Sequence, residues 1–217
     1  MTSEITDAAR RQLAEVGAAA LSLRAVAREL GMASSAVYRY FPSRDDLLTR
    51  LIIDGYDDLG AAAEAADPPD AAPAERWLAV CRAVRTWARA HPHEYALLYG
   101  SPVPGYAAPK DTVAAASRVG IVLGRILGEA ARAGALPTAA GERDADLISD
   151  DAVSVLGGDH PAIDETVRVR ALLAWSALFG TISFELFGHL RNVIEDHEAF
   201  FAHQMRAVAL ELGLERR

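Results

Sequence analysis

Helix-breaking residues come at close intervals at the start of this chain, and their spacing constrains the fold more than any other feature. Apolar residues recur three and four positions apart, and Gly17, Gly31 and Pro42 interrupt the pattern before it can run on. Ile5, Ala8, Ala9, Leu13 and Val16 make one stripe over residues 4–18, closed by Gly17. Leu23, Val26, Ala27 and Leu30 make a second, short one, with Ser22 placed as N-cap and Gly31 as the stop. Ser34 to Phe41 has room for two more turns before Pro42, whose ring cannot continue a helix. Ser43-Arg-Asp-Asp46 then has the form of a capping box and opens a longer helix through Leu47, Leu48, Leu51, Ile52 and Tyr56 toward residue 65.

Downstream the same period persists. Ala, Leu, Arg and Glu dominate and no period-two alternation is sustained, so the expected fold is all-α. Asp67-Pro-Pro-Asp-Ala-Ala-Pro73 reads as a linker, and helices are expected near 74–90, 92–100, 110–134, 163–190 and 196–213. The Gly, Pro and Asp content leads to the expectation of irregular structure over residues 136–162, with a short helix near 142–156. The expected division is a small reading domain over 1–50 and a larger helical domain over 51–217.

Bulk composition narrows the function. Hydrophobic residues are 51% and charged residues 24%, which is globular, and no eighteen apolar residues run uninterrupted. Glu4 and Asp7 precede any apolar run, unlike a secretory leader, so a soluble, cytoplasmic protein is expected. The single cysteine, Cys81, sits in a helical pattern and reads as a packing residue. The net charge of −8 opposes binding to phosphates until it is divided. Residues 1–50 hold seven arginines against six acids, and the acidic excess lies entirely beyond them. Such a head can bind DNA only if its arginines converge on one face.

The second and third helices, joined through Gly31, have the spacing of a helix-turn-helix, whose second helix enters the major groove. Val37 and Phe41, at i and i+4, would pin that helix to a small core. Ser34, Ser35, Tyr38 and Arg39 would then face outward, with Arg24 and Arg44 flanking them. Serine and tyrosine hydroxyls bond phosphates or base edges, and arginine can grip guanine with two hydrogen bonds. A compact helical hairpin without DNA is the competing reading of the spacing alone. The whole run Leu21-Ser-Leu-Arg-Ala-Val-Ala-Arg-Glu-Leu-Gly-Met-Ala-Ser-Ser-Ala-Val-Tyr-Arg-Tyr-Phe-Pro-Ser-Arg-Asp-Asp-Leu-Leu48 closely resembles the DNA-binding signature of TetR-family transcriptional regulators. His91 to Gly100 and Ala177 to Gly188 resemble a subset of the same family more weakly. The resemblance implies a homodimer on a palindromic operator, usually a repressor released by a small molecule. It carries DNA contacts onto Ser34, Ser35, Ala36, Tyr38, Arg39 and Tyr40, and onto Ser22 and Arg24, while Arg44 stands where the family more often has Lys.

Beyond the reading domain the expectation is a ligand-binding and dimerising bundle. Trp77, Trp87, Tyr95, Leu98, Tyr99, Val119, Val122, Ile126, Trp175 and Phe179 are the candidate lining of an apolar cavity, ordinary core packing being the alternative for each. Tyr106, in the Pro-rich loop 101–109, is the candidate gate. Leu172, Leu173, Leu178, Ile182 and Leu186, then Phe200, Phe201, Met205, Val208 and Leu212, make faces broader than one neighbour covers, which points to a two-fold four-helix interface. Packing within the chain is the alternative there. No pair among the six histidines has a metal-site spacing, and adjacent acids such as Asp45-Asp46, Asp57-Asp58 and Asp150-Asp151 diverge by about 100° on a helix. Neither cofactor, metal, catalytic group nor membrane partner is therefore expected. An all-helical enzyme and a protein-binding helical module remain as rivals.

Overall fold

The computed structural model describes residues 1–136, Ile148 and 165–215. Among these the chain is helical throughout, with no strand. In order come α1 (Thr2–Val16), a 3-10 turn (Ala18–Ala20), α2 (Leu23–Glu29), α3 (Ser34–Tyr38) and α4 (Arg44–Ala65). Then follow α5 (Pro73–Ala90), α6 (Pro92–Tyr99), α7 (Thr112–Arg132), α8 (Glu165–Leu186) and α9 (His197–Leu212). The expected short helix at 142–156 lies outside the described residues. Most boundaries fall within a few residues of expectation, since apolar period and caps are local signals.

α3 is shorter than the two turns expected. Regular helix ends at Tyr38, and Arg39 and Tyr40 tighten into a turn in which the Tyr40 and Phe41 amides both donate to the Val37 carbonyl, at 2.9 and 3.0 Å. At the start of α4 the capping box is complete. The Ser43 amide donates to Asp46 Oδ2 at 2.9 Å, and the Asp46 amide donates to Ser43 Oγ at 3.1 Å. Ser22, by contrast, holds the N-cap position of α2 without its hydroxyl bonding the helix. Its amide donates instead to Gln12 Oε1 at 3.5 Å.

Two compact units make up the chain. The first joins Met1–Asp58 to Ala90–Ala116, and the second joins Leu59–Arg89 to Ser117–Arg217. In the first, Ile5, Ala8 and Ala9 of α1 pack with Leu23, Val26 and Ala27 of α2, Val37 of α3, Phe41, and Leu47, Leu48 and Leu51 of α4. Burying each leucine, isoleucine or valine of such a set contributes about 1.5–3 kcal/mol. Leu97, Val103 and Tyr106, from far along the sequence, pack against the same core.

The second unit is centred on Trp77, Val80, Val84, Ile126, Leu178, Ile182, Phe201 and Met205. The Trp77 indole N–H is satisfied by the Met205 carbonyl at 3.1 Å. Cys81 is fully buried, as a packing residue should be, and burial pushes its thiol pKa well up. Two buried arginines cross-link the unit. Arg76 grips Asp67 with Nε at 2.7 Å and Nη2 at 2.9 Å and also bonds Glu129, tying the linker to α5 and α7. Arg85 grips Glu185 at 2.7 and 2.9 Å, bonds Glu198 and lies over the Phe201 ring, tying α5 to α8 and α9.

Candidate nucleic-acid interface

The link between α2 and α3 is built by the backbone. Gly31 takes φ +65°, its amide donates to Arg28 O at 3.2 Å, and the Met32 amide donates to Ala27 O at 2.8 Å. This paired ending satisfies the last carbonyls of α2 and turns the chain sharply enough for α3 to pack back on it. Val37 is wholly buried and Phe41 nearly so, which orients the rest of the short helix. Ser35, Tyr38, Arg39 and Tyr40 are exposed, and Ser34 and Ala36 are half-buried. Tyr38 and Tyr40 keep 41% and 47% of their surface in solvent, informative for large rings beside a core with room for Val37 and Phe41.

Ion pairing sorts the head's seven arginines. Arg10 binds Asp7 and Asp54, Arg50 binds Asp54, and Arg11 binds Glu29 at 2.6 Å. Arg44 is turned inward: its Nη2 donates to Ala18 O at 2.8 Å and Ala19 O at 3.0 Å. Arg24, Arg28 and Arg39 have no carboxylate partner among the described residues, and all three are exposed. Arg24 and Arg28 stand one turn apart on α2, and Arg39 follows α3. The uncompensated positive charge is therefore carried by the helix-turn-helix and not by the acidic remainder, as binding to phosphates requires. Sequence reasoning missed Arg28. Its i+4 spacing from Arg24 was the signal that marks it.

Comparison with known proteins agrees with this geometry. Residues 5–51 match the family model described as bacterial regulatory proteins, tetR family, and residues 77–208 match that of the tetracyclin repressor-like C-terminal domain. HTH-type transcriptional regulator Rv1816 of Mycobacterium tuberculosis is 41% identical, over 97% of this chain and 92% of that one. The chain belongs to the TetR family.

HTH-type transcriptional regulator Mb1846 of Mycobacterium bovis is likewise 41% identical over the same shares. Among solved structures, regulatory protein SCO4313 superposes with a TM-score of 0.78 at 35% identity, covering 95% of this chain and 94% of that one. BioQ bound to its double-stranded DNA operator shares the fold at a TM-score of 0.57 and 19% identity, covering 99% of each chain. This TetR-family protein is thus a DNA-binding transcriptional regulator.

In this TetR-family chain the ten residues expected to line one cavity are distributed over both units. Tyr95, Leu98 and Tyr99 belong to the first, where Tyr95 and Tyr99 rings lie 5.0 Å apart, the Tyr56 ring meets Tyr99 edge-on at 5.9 Å, and Leu98 lies against Gly55. Burial raises the pKa of the Tyr56 and Tyr99 hydroxyls. Trp77, Trp87, Val119, Val122, Ile126 and Phe179 are buried in the second unit, and half-buried Trp175 stacks on Phe179 at 4.9 Å. Trp77 and Trp175 border a gap of about 10 Å³, room for one water where ligand cavities need several hundred. Tyr106, the candidate gate, has its hydroxyl paired with that of Thr49 at 2.9 Å.

A larger hollow, about 620 Å³, lies along α8 and α9, lined by residues including Thr181, Phe184, Phe200, His203, Gln204 and Val208. The apolar faces expected of these helices divide in two. Leu178, Ile182, Phe201, Met205 and Leu212 are core, Leu186, Phe200 and Val208 are half-buried, and Leu172 and Leu173 are exposed, as is Phe184. That double use explains why Arg168–Leu186 reaches a mean hydropathy of 1.3, long and apolar enough by composition to cross a membrane.

Proposed function

We propose that this regulator is a cytoplasmic repressor that binds a palindromic operator as a homodimer and is released by a small apolar or amphipathic ligand. The observation that carries the operator reading is the sorting of charge in the head, which leaves Arg24, Arg28 and Arg39 uncompensated beside exposed Ser35, Tyr38 and Tyr40. Arg39 reads base edges in the major groove, the serines and tyrosines bond phosphates and bases, and Arg24 and Arg28 hold phosphates. The relative captured with an operator supports the same use of the fold.

Homodimerisation is supported by the α8–α9 hollow and by Phe184, which keeps 55% of its surface exposed beside it. A second copy presenting the same face would cover both and supply the second reading head a palindrome requires. A membrane-crossing role for α8 is disfavoured because Glu185 within it is gripped by Arg85. Release follows as a population shift: a ligand that binds better to a conformation with misplaced heads lowers the fraction able to bind DNA. α4, which begins at the reading head and continues for 22 residues, is the lever in this mechanism.

Selection of bound fragments from random duplex DNA tests the reading. Enrichment of an inverted repeat is expected, with Arg39→Ala weakening binding and relaxing base preference at one position of each half-site by about 1–3 kcal/mol. Failure to enrich any sequence, or binding indifferent to Arg39→Ala and to salt, would overturn it.

A further inference from the structure

The connection between α6 and α7 belongs to the reading head. Val103-Pro-Gly-Tyr106 has the form of a type II turn: Pro104 presets the first corner, Gly105 takes φ +78° at the second, and the Tyr106 amide donates to Val103 O at 3.1 Å. A turn of this kind brings its first and last residues close together. Val103 and Tyr106 accordingly pack side by side on the core formed by α1 to α4, beside Leu97 of α6. Nothing in the local sequence of the helix-turn-helix requires this contribution, made by residues more than fifty positions downstream.

The contact is polar as well as apolar. The Tyr106 and Thr49 hydroxyls lie 2.9 Å apart, and Thr49 is on α4 next to Leu47, Leu48 and Leu51, the residues by which α4 grips the core behind Val37. About two turns further on, the same face of α4 meets α6, where the Tyr56 hydroxyl reaches the Leu98 carbonyl at 3.5 Å and a Cβ at Gly55 would touch the Leu98 side chain. Residues 97–106 therefore hold α4 at both ends of the stretch 49–56.

Resting on the operator reading above, we infer that the Val103–Tyr106 turn is a clip that positions α4, and through it α3, for DNA. Tyr106 and Thr49 are positioning residues that touch no base. Their bond fixes α4 against the core from which Val37 and Phe41 aim the exposed face of α3. With the bond broken the head samples more orientations, and the fraction ready to bind falls in proportion.

The clip has a signature that a merely structural contact lacks. Full-length Tyr106→Phe, Thr49→Val and their double variant are compared with the parent for affinity to the duplex the parent selects, at a temperature well below each variant's melting. Each single variant is expected to bind about fivefold more weakly, the worth of one partly buried hydrogen bond. The double variant should be no weaker than either single, since both remove the same bond. Thr49→Ser, which keeps the hydroxyl, should restore binding, and the preferred sequence and the salt dependence should stay unchanged in all of them. Unchanged or tighter binding by folded Tyr106→Phe and Thr49→Val overturns the clip while leaving the operator reading standing. A parent that selects no duplex overturns both.

Discussion

Two carbonyls of the turn between α1 and α2, those of Ala18 and Ala19, accept from one guanidinium nitrogen of Arg44. The side chain thus ties the start of α4 to the entry of α2, and we propose that it acts on DNA through the placement of Arg24. Arg44→Ala is expected to weaken duplex binding without changing how steeply affinity falls with salt, whereas Arg24→Ala should lower that slope by about 0.9. Arg44→Lys should keep much of the binding, because both carbonyls accept from one nitrogen and an ammonium carries three donors. A loss of slope in Arg44→Ala would instead make it a phosphate contact. Asp67 offers a second residue-scale test. The Arg76 guanidinium, with Arg125 at 2.7 Å, holds its carboxyl below the ordinary range against the opposing pull of burial. The folded-state pKa lies below the unfolded one, so this pairing stabilises fully above the unfolded value of about 3.9 and is lost as pH falls through the folded value. Acid unfolding followed by circular dichroism should show Asp67→Asn less stable at neutral pH and less sensitive to pH below about 4.

Elements in the head end where their caps dictate. Gly31 has open space where a Cβ would sit, so Gly31→Ala meets no clash, and its cost is that of φ +65° alone, about 1–2 kcal/mol. Ser43→Ala removes one half of a reciprocal cap and should cost about 0.5–2 kcal/mol. Thermal denaturation of the full chain measures both. The two sites lie at opposite ends of α3 and share no hydrogen bond, so their effects should add. Strong non-additivity would mean that the two caps are set by each other.

For the whole molecule the decisive surface is the outer face of α8 and α9. Phe184→Glu puts a charge on an exposed ring beside the 620 Å³ hollow and leaves the core residues Leu178 and Ile182 untouched. Sedimentation should show the parent as a dimer and the variant shifted to monomer with unaltered helix content; an unshifted dimer would place the interface elsewhere. What the amino-acid sequence determined unaided is the series of helices among the described residues and which positions around α3 are exposed and which buried. Periodic apolar residues, Gly31, Pro42 and the Ser43–Asp46 box act within a few residues of one another, so their meaning is local. Only the tertiary structure decided which of the head's arginines remain unpaired, since Arg10 meets Asp54 and Arg11 meets Glu29 across 44 and 18 positions. It also decided that Trp77 is buried with its N–H on the Met205 carbonyl and that Tyr106 meets Thr49. An aromatic side chain carries the same apolar signature whether it lines a cavity or fills one, and a hydroxyl has no partner until folding brings one within about 3 Å.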